Sequence, residues 1–343
     1  MQESINKLIA DLEFIIKNNE RILVELNEAI KKADLYEIQN INDFINFLND
    51  RFKFYPQDKN ILNNHEAIFF YIINQSQYLL SNNIFMIWVH NFTEVYGKFM
   101  DSPDSIVYLN NFLKDASFKI EEYYQPASGW MSFNQFFMRN IKPGKRIIDE
   151  LCNDNVIVSP VDGTLMSWYF IKNSVINAKG ISFNLDELLH DSICKTYFAH
   201  GIYVHLHLEL HDYHHFHTPI SGNIVEINKI PGFVYLDVIK KPDGSLKVLE
   251  GEIIHVNQDR GIIVLDTLNG LVAIICIGVG HISSVNLTPD LGDYLHKGQE
   301  FGYFAYGGSD VLVLFQNTNI QFTAKSGEKY KQGKKIALFT KIN

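Results

Sequence analysis

The stretch GIYVHLHLELHDYHHFHTPISGNIVEINKI, residues 201–230, decides how this chain is read. One β-forming run stops at Pro219 and Gly222, and another begins directly after. That is the pattern of strands joined by a turn. Similar short runs surround it: VIVSPVDG, GEIIHVN, GIIVLDTL, GLVAIICIGVG, DVLVLF and KKIALFTKI. Each is bounded by Gly, Pro, Asn or Asp. From about residue 155 onward the spacing predicts a mostly antiparallel β domain, sandwich-like or barrel-like.

Upstream the period changes. Ile5, Leu8, Ile9, Leu12, Ile15 and Ile16 recur at helical spacing, and Ile22, Leu23, Leu26 and Ile30 continue it. No glycine precedes Gly97. Further helices are expected over about 65–100, ending near Ser102-Pro103, and over 105–125, stopped by Pro126. The fold class is α+β: a helical extension over 1–128, then a β domain over 129–343. Strands and helices do not alternate as a doubly wound sheet requires.

The 343 residues are 46% hydrophobic and 20% charged, enough to bury a sizeable core and too apolar for disorder. A net charge of −9 excludes a general nucleic-acid binder, since no basic surplus exists to neutralise phosphates. Cys152, Cys194 and Cys276 are scattered and odd in number, which points to a reducing compartment without disulfides or a thiolate metal site. The first twenty residues carry charge throughout and do not read as a signal peptide. The most apolar run, NNIFMIWVHNF (82–92), falls short of the roughly 18–20 residues of a membrane span. The expectation is a cytoplasmic protein with no transmembrane segment. Lys142, Lys145 and Arg146, after Phe136 and Phe137, leave room for peripheral membrane contact.

Six of the thirteen histidines lie in 203–219. His205 and His207 share one face of a strand. Zinc is one reading, opposed by the lack of companion cysteines and of HExxH. His214 and His217 stand three apart before a proline turn. A histidine titrates near neutrality and suits a general base, and Asp162 and Asp212 are candidate orienters. SPVDGTL (159–165) and TPISGNI (218–224) share one form and read as equivalent turns. Asp162, one of these histidines and Ser309 would make an Asp–His–Ser arrangement if the fold joins them.

Ser309 follows Gly307-Gly308 and does not fit a nucleophile elbow, because position 311 is valine. A glycine turn feeding a strand is the plain reading. The other is self-cleavage, in which the hydroxyl attacks the Gly308 carbonyl and elimination and hydrolysis leave a ketone. Gly308 would permit the backbone conformation. Phe233 and Tyr235 are candidates to line a substrate pocket. Trp88 and Trp130 read as core.

Taken together, five segments resemble the phosphatidylserine decarboxylase family, in the family's order. They are SFNQFFMRNIKPGKRII (132–148), VSPVDGTL (158–165), NAKGISFNLDELL (177–189), DYHHFHTPISG (212–222) and KGQEFGYFAYGGSDVLVLF (297–315). The resemblance implies self-cleavage between Gly308 and Ser309, with Ser309 becoming a pyruvoyl cofactor. It implies His217 as base, Asp162 as its orienter, and His214 beside the substrate. The substrate amine would form a Schiff base with the ketone, which then acts as an electron sink for loss of CO₂. The two cleaved chains would stay together as a heterodimer or a higher oligomer, and no metal is implied.

Two departures bear on substrate. His215 replaces an arginine, and Asp310 replaces a small residue. A cation lost and an anion gained disfavour a phosphate-bearing substrate by simple charge sign. The helical extension resembles a family branch acting on soluble amino acids. Phosphatidylserine is the family's substrate, a free amino acid, aromatic ones included, is the alternative, and a non-processing binding protein is a further one.

Overall fold

A computed structural model describes residues 2–51, 67–178, 181–232, 236–249, 258–278, 285–305 and 310–340. The N-terminal helices are α1 (Gln2–Asn18), α2 (Glu20–Ala33), α3 (Ile41–Arg51), α4 (helical residues 67–73), α5 (Gln77–Ser81) and α6 (Asn83–Met100). The 3/4-spaced residues are the ones they bury, among them Ile5, Leu8, Leu12, Ile22, Leu26 and Ile30. At their centre the Trp88 indole of α6 donates to the Leu8 carbonyl of α1 at 2.9 Å, among the rings of Phe69, Phe85 and Phe92.

The long helices expected at 65–100 and 105–125 are broken. Ser76 and Asn82 accept hydrogen bonds from the backbone N–H groups of Leu79 and Phe85, so each starts a new helix by capping. Beyond α7 (Leu109–Lys114), the Asp115 side chain takes the Ser117 N–H and Lys119 adopts φ +46°, which leaves only 3₁₀ turns before Tyr123. Helix α8 (Phe133–Phe137) buries Phe136 and Phe137 against Phe112, Phe118 and His214. Neither ring is free to meet a membrane surface.

The strands begin with β1 (Val156–Val158), β2 (Gly163–Phe170), β3 (Val175–Ala178) and β4 (Ile181–Asn184). Helix α9 (Leu185–Leu189) follows, then β5 (Ile202–His207), β6 (His215–His217) and β7 (Gly222–Ile230). Next come β8 (Val238–Lys240), β9 (Leu246–Val248), β10 (Arg260–Thr267), β11 (Gly270–Ile277), β12 (Val285–Leu287) and β13 (Tyr294–Leu295). The last are β14 (Glu300–Phe304), β15 (Asp310–Phe315), β16 (Ile320–Phe322), β17 (Lys329–Tyr330) and β18 (Lys335–Phe339).

Every strand pair among the described residues is antiparallel. The main sheet has the order β13-β7-β10-β11-β15-β5-β2-β17 and is open rather than a closed barrel among those residues. Two three-stranded sheets, β1-β18-β16 and β12-β14-β6, accompany it. One face of the main sheet, with Val204, Leu206, Val311, Val313 and Ile274, shares a continuous buried core with the N-terminal helices. The other face, with Tyr203, Leu312, Leu314 and Ile275, is covered by β3, β4 and α9. Arg260 holds α9 there through the carbonyls of Glu187 and Leu188.

One row of directly paired residues crosses the main sheet: Ile230, Arg260, Ile277, Asp310, His207, Thr164 and Lys329. It marks one end of that sheet, where β2 starts just after Asp162, β5 ends and β15 starts. Among the described residues no helix is long and apolar enough to cross a membrane.

Trp88→Ala should lower stability by about 3–5 kcal/mol, the cost of emptying a large aromatic site. Denaturant unfolding of the two proteins side by side checks this.

Candidate active site

The two similar proline turns are bound to each other. The His217 N–H donates to the Pro160 carbonyl at 2.8 Å, and the Val158 N–H donates to the Pro219 carbonyl at 3.1 Å. This exchange places Asp162, on the first turn, beside the strand that carries His217. The sequence similarity between the turns therefore marks a contact between them.

Asp162 is buried, and Arg146 grips it with two hydrogen bonds: Nε to Oδ1 at 2.7 Å, and Nη2 to Oδ2. The Gln332 N–H also donates to Oδ1, at 2.8 Å. Arg146 reaches Glu122 at 2.7 Å, and Glu122 takes Lys331 at 2.8 Å. Burial works against the Arg146 charge, but the bonds to Asp162 and Glu122 more than offset it and hold the guanidinium above its ordinary range. The sequence reading put Arg146 in a surface basic patch. Its side chain is instead internal, because a buried carboxylate needs a cation and a planar fork matches it best.

Among the described residues the Asp162 carboxylate accepts from Arg146 and Gln332 and not from His217. The His217 Nδ1 donates to the Gly298 carbonyl at 2.9 Å, so the neutral ring keeps its lone pair on Nε2. That Nε2 lies 3.3 Å from the Tyr213 hydroxyl. Burial pulls the His217 pKa down to about 4, with the Gly298 bond and the charges of Glu300 and Asp162 opposing. The ring is therefore neutral, with one nitrogen committed and the other free to accept a proton, and burial makes it a weaker base than a free imidazole.

His214 is also buried and neutral, because burial drives its pKa well below the usual value. Its Nε2 donates to the Glu209 carbonyl at 3.1 Å, and the Phe137 ring lies 4.0 Å away. The Nδ1 has no hydrogen-bond partner among the described residues. His215 points elsewhere. Its Nδ1 meets Glu300 at 2.8 Å and its Nε2 the Met138 carbonyl at 3.1 Å.

Gly308, Ser309, Phe233 and Tyr235 lie outside the described residues; their flanks do not. The Phe304 N–H donates to the His214 carbonyl at 2.9 Å, and Asp310 pairs with His207. The two flanks therefore lie beside His214 and in the row of β15 and β5. β7, which leads toward Phe233, ends in the same row. Asp310 is buried, and its Oδ1 accepts from His205 Nε2 at 2.7 Å and His207 Nδ1 at 2.9 Å. Burial pushes its pKa up, but the two imidazoles prevail and keep it ionised well below the usual carboxylate range. The expectation that 310 adds a bare anion beside the substrate is corrected: that charge is already shared with two rings.

Asp212, the other candidate orienter, caps the loop before β6 by accepting from the Glu209 N–H at 2.9 Å. Ligand atoms of Glu209, His211 and Asp212 lie within 4.8 Å of one another. The Lys329 ammonium sits among them, 2.7 Å from Asp212 and 3.1 Å from both Glu209 and His211, and takes the place of a cation. Arg146, Tyr213 and the bonds of Asp310 were missed in the sequence. Only the alternation of His205 and His207 hinted at the last.

Residues 133–338, more than half of the chain, match the family model described as phosphatidylserine decarboxylase. The chain belongs to the phosphatidylserine decarboxylase family. It is 33% identical to phosphatidylserine decarboxylase proenzyme 2 of Oryza sativa subsp. japonica over 68% of its own length and 37% of that protein's. It is 32% identical to the phosphatidylserine decarboxylase proenzyme of Fusobacterium nucleatum subsp. nucleatum, over 66% of its length and 73% of that protein's. A third relative, from Ruminiclostridium cellulolyticum, is 31% identical over 67% of this chain and 75% of that one. The chain therefore spans most of the bacterial relatives and just over a third of the rice protein.

Removing Arg146 would strand the Asp162 charge. Arg146→Ala is expected to cost about 3–5 kcal/mol, and much less when combined with Asp162→Asn; a double-mutant unfolding cycle measures this. The depressed His217 pKa means the unfolded chain binds that proton more readily. Its contribution is complete above pH 6.5 and is lost as pH falls toward 4, by on the order of 3 kcal/mol. Urea unfolding across that window should show the decline, with a smaller one in His217→Gln.

Proposed function

We propose that this chain cleaves itself between Gly308 and Ser309, converts Ser309 to a pyruvoyl group, and uses it to decarboxylate phosphatidylserine to phosphatidylethanolamine. One observation carries the reading: the residues on either side of the proposed cleavage bond, Phe304 and Asp310, are held by His214 and His207, at the sheet end where the Asp162 turn meets β6. In this reading the helical portion 1–128 supports a catalytic portion 129–343.

For cleavage, His217 Nε2 takes the Ser309 hydroxyl proton as Oγ attacks the Gly308 carbonyl carbon. The Gly308–Ser309 C–N bond breaks, the freed amine takes a proton, and an ester remains. Loss of the Ser309 Cα proton expels the Gly308 carboxylate and leaves a dehydroalanine. Its imine form takes water and releases ammonia, which leaves the ketone without any external oxidant. The Asp162 charge, held in place by Arg146, favours the imidazolium that forms on His217. Tyr213 holds the ring against rotation.

The residues fit such a group. The fully buried His214 Nδ1 is left without a partner among the described residues, beside the strand that enters the cleavage segment. When present, the pyruvoyl ketone supplies an electron sink for the substrate amine. His214 holds its Nδ1 lone pair in a dry site, ready to take or return a proton. A cleft of about 720 Å³ lined by α6, β12 and β14 includes Ala305 and carries Lys98 and Lys229 together with Glu94, Asp101 and Asp259. With Asp310 and His215 both internally paired, the charge argument against a phospholipid falls away. Peripheral contact with a bilayer and association of the two cleaved chains belong to the same proposal.

Purified wild-type protein should yield a 35-residue fragment, 309–343, of about 4 kDa at typical residue mass. Ser309→Ala should stay intact. Mass spectrometry reads both, and a single species at 39.6 kDa in the wild type would refute the reading. Processed enzyme should form phosphatidylethanolamine from phosphatidylserine vesicles. Amine release from free amino acids instead would overturn the substrate.

A further inference from the structure

The His205–Asp310–His207 cluster is not used by the chemistry above, yet it touches the residue that follows the scissile bond. All three side chains are buried, at 4%, 3% and 7% exposure. Both rings donate to one oxygen, Oδ1 of Asp310. Strand register explains how they converge. Asp310 faces His207 directly, and His205 lies two residues earlier on the same strand and hence the same face. Thr164, two residues after Asp162, flanks His207 on the other side. The cluster also sits opposite the other histidines. His214 packs with Phe137 and Phe304 of the helix-side core, whereas His205 lies beside Tyr203 of the core under α9.

Resting on the proposed self-cleavage, we infer that His205, Asp310 and His207 form a positioning clamp for residue 310. The backbone nitrogen of Asp310 would carry the pyruvoyl group after cleavage and the Ser309 carbonyl before it. Two imidazole donors on one carboxylate oxygen fix the Asp310 side chain, and through it the first residue of β15. Ser309 must aim its hydroxyl at the preceding carbonyl, and a small misplacement of reacting atoms costs rate steeply. An aspartate serves here because one carboxylate oxygen can accept both rings at once. The three act through Ser309 as positioning residues and not as acid or base.

Self-processing of freshly purified proenzyme, followed by intact mass, tests the clamp in wild type, Asp310→Ala, Asp310→Asn and His205→Gln. Asp310→Ala should process at least about tenfold more slowly. Asp310→Asn keeps an acceptor oxygen at the same place and should recover most of the rate. His205→Gln, which keeps the His207 bond, should fall between them. Thermal midpoints are measured alongside. Wild-type rates in Asp310→Ala, with wild-type protein cleaving normally, would overturn the clamp and leave the self-cleavage reading standing. Equal slowing in Asp310→Ala and Asp310→Asn, tracking equal losses of thermal midpoint, would assign the cluster a merely structural role and also overturn it. Wild-type protein that never cleaves would remove the underlying reading, and the clamp with it.

Discussion

Asp162 is a buried carboxylate just before β2, next to the edge of the main sheet, and the site is arranged around the need to compensate it. An isolated charge in that position would be costly. Arg146 meets it with a two-bonded fork, and Glu122 and Lys331 extend the pair into a chain of alternating charge. That chain joins the segment before the β domain, the first proline turn and the start of the β17–β18 region. The proline turns can then exchange backbone bonds, and His217 arrives with its tautomer already set by Gly298. Arg146 thus links the stability of the fold to the basicity of the site.

A second constraint comes from register. The row from Ile230 to Lys329 gathers strand ends that lie far apart in sequence. An antiparallel sheet places the end of one strand beside the start of its neighbour. Three sequence-distant pieces, 162–164, 207 and 310, therefore become neighbours without any local signal between them. β6 pairs with β14 outside the main sheet, and His214, just before it, packs against Phe137 and Phe304 of the helix-side core. The result is that His214 and the His205–His207 pair lie in different layers.

Much of this was legible beforehand. The change from 3/4 spacing to short β-branched runs marked the helical and β portions, because burial of one helix face and alternation along a strand leave different periods. The residues of SPVDG and DYHHFH announced the site, since those turns need proline and glycine and that chemistry needs histidine and aspartate. The helix breaks at Ser76 and Asn82 were missed because the apolar pattern runs through both while capping is a local competition. Arg146 was misjudged as surface because nothing in KPGKR shows that its partner is buried.

The sequence by itself determined the α+β class, the family and the identities of the residues that carry the chemistry. It could do so because periodicity and residue type are properties of the chain. Which groups touch was decided only by the tertiary structure. Asp162 meets Arg146 instead of His217, His217 takes its tautomer from a glycine carbonyl, and Asp310 spends its charge on His205 and His207. Hydrogen bonds and charge pairing depend on distance and direction, and those exist only once strand register has brought distant residues side by side.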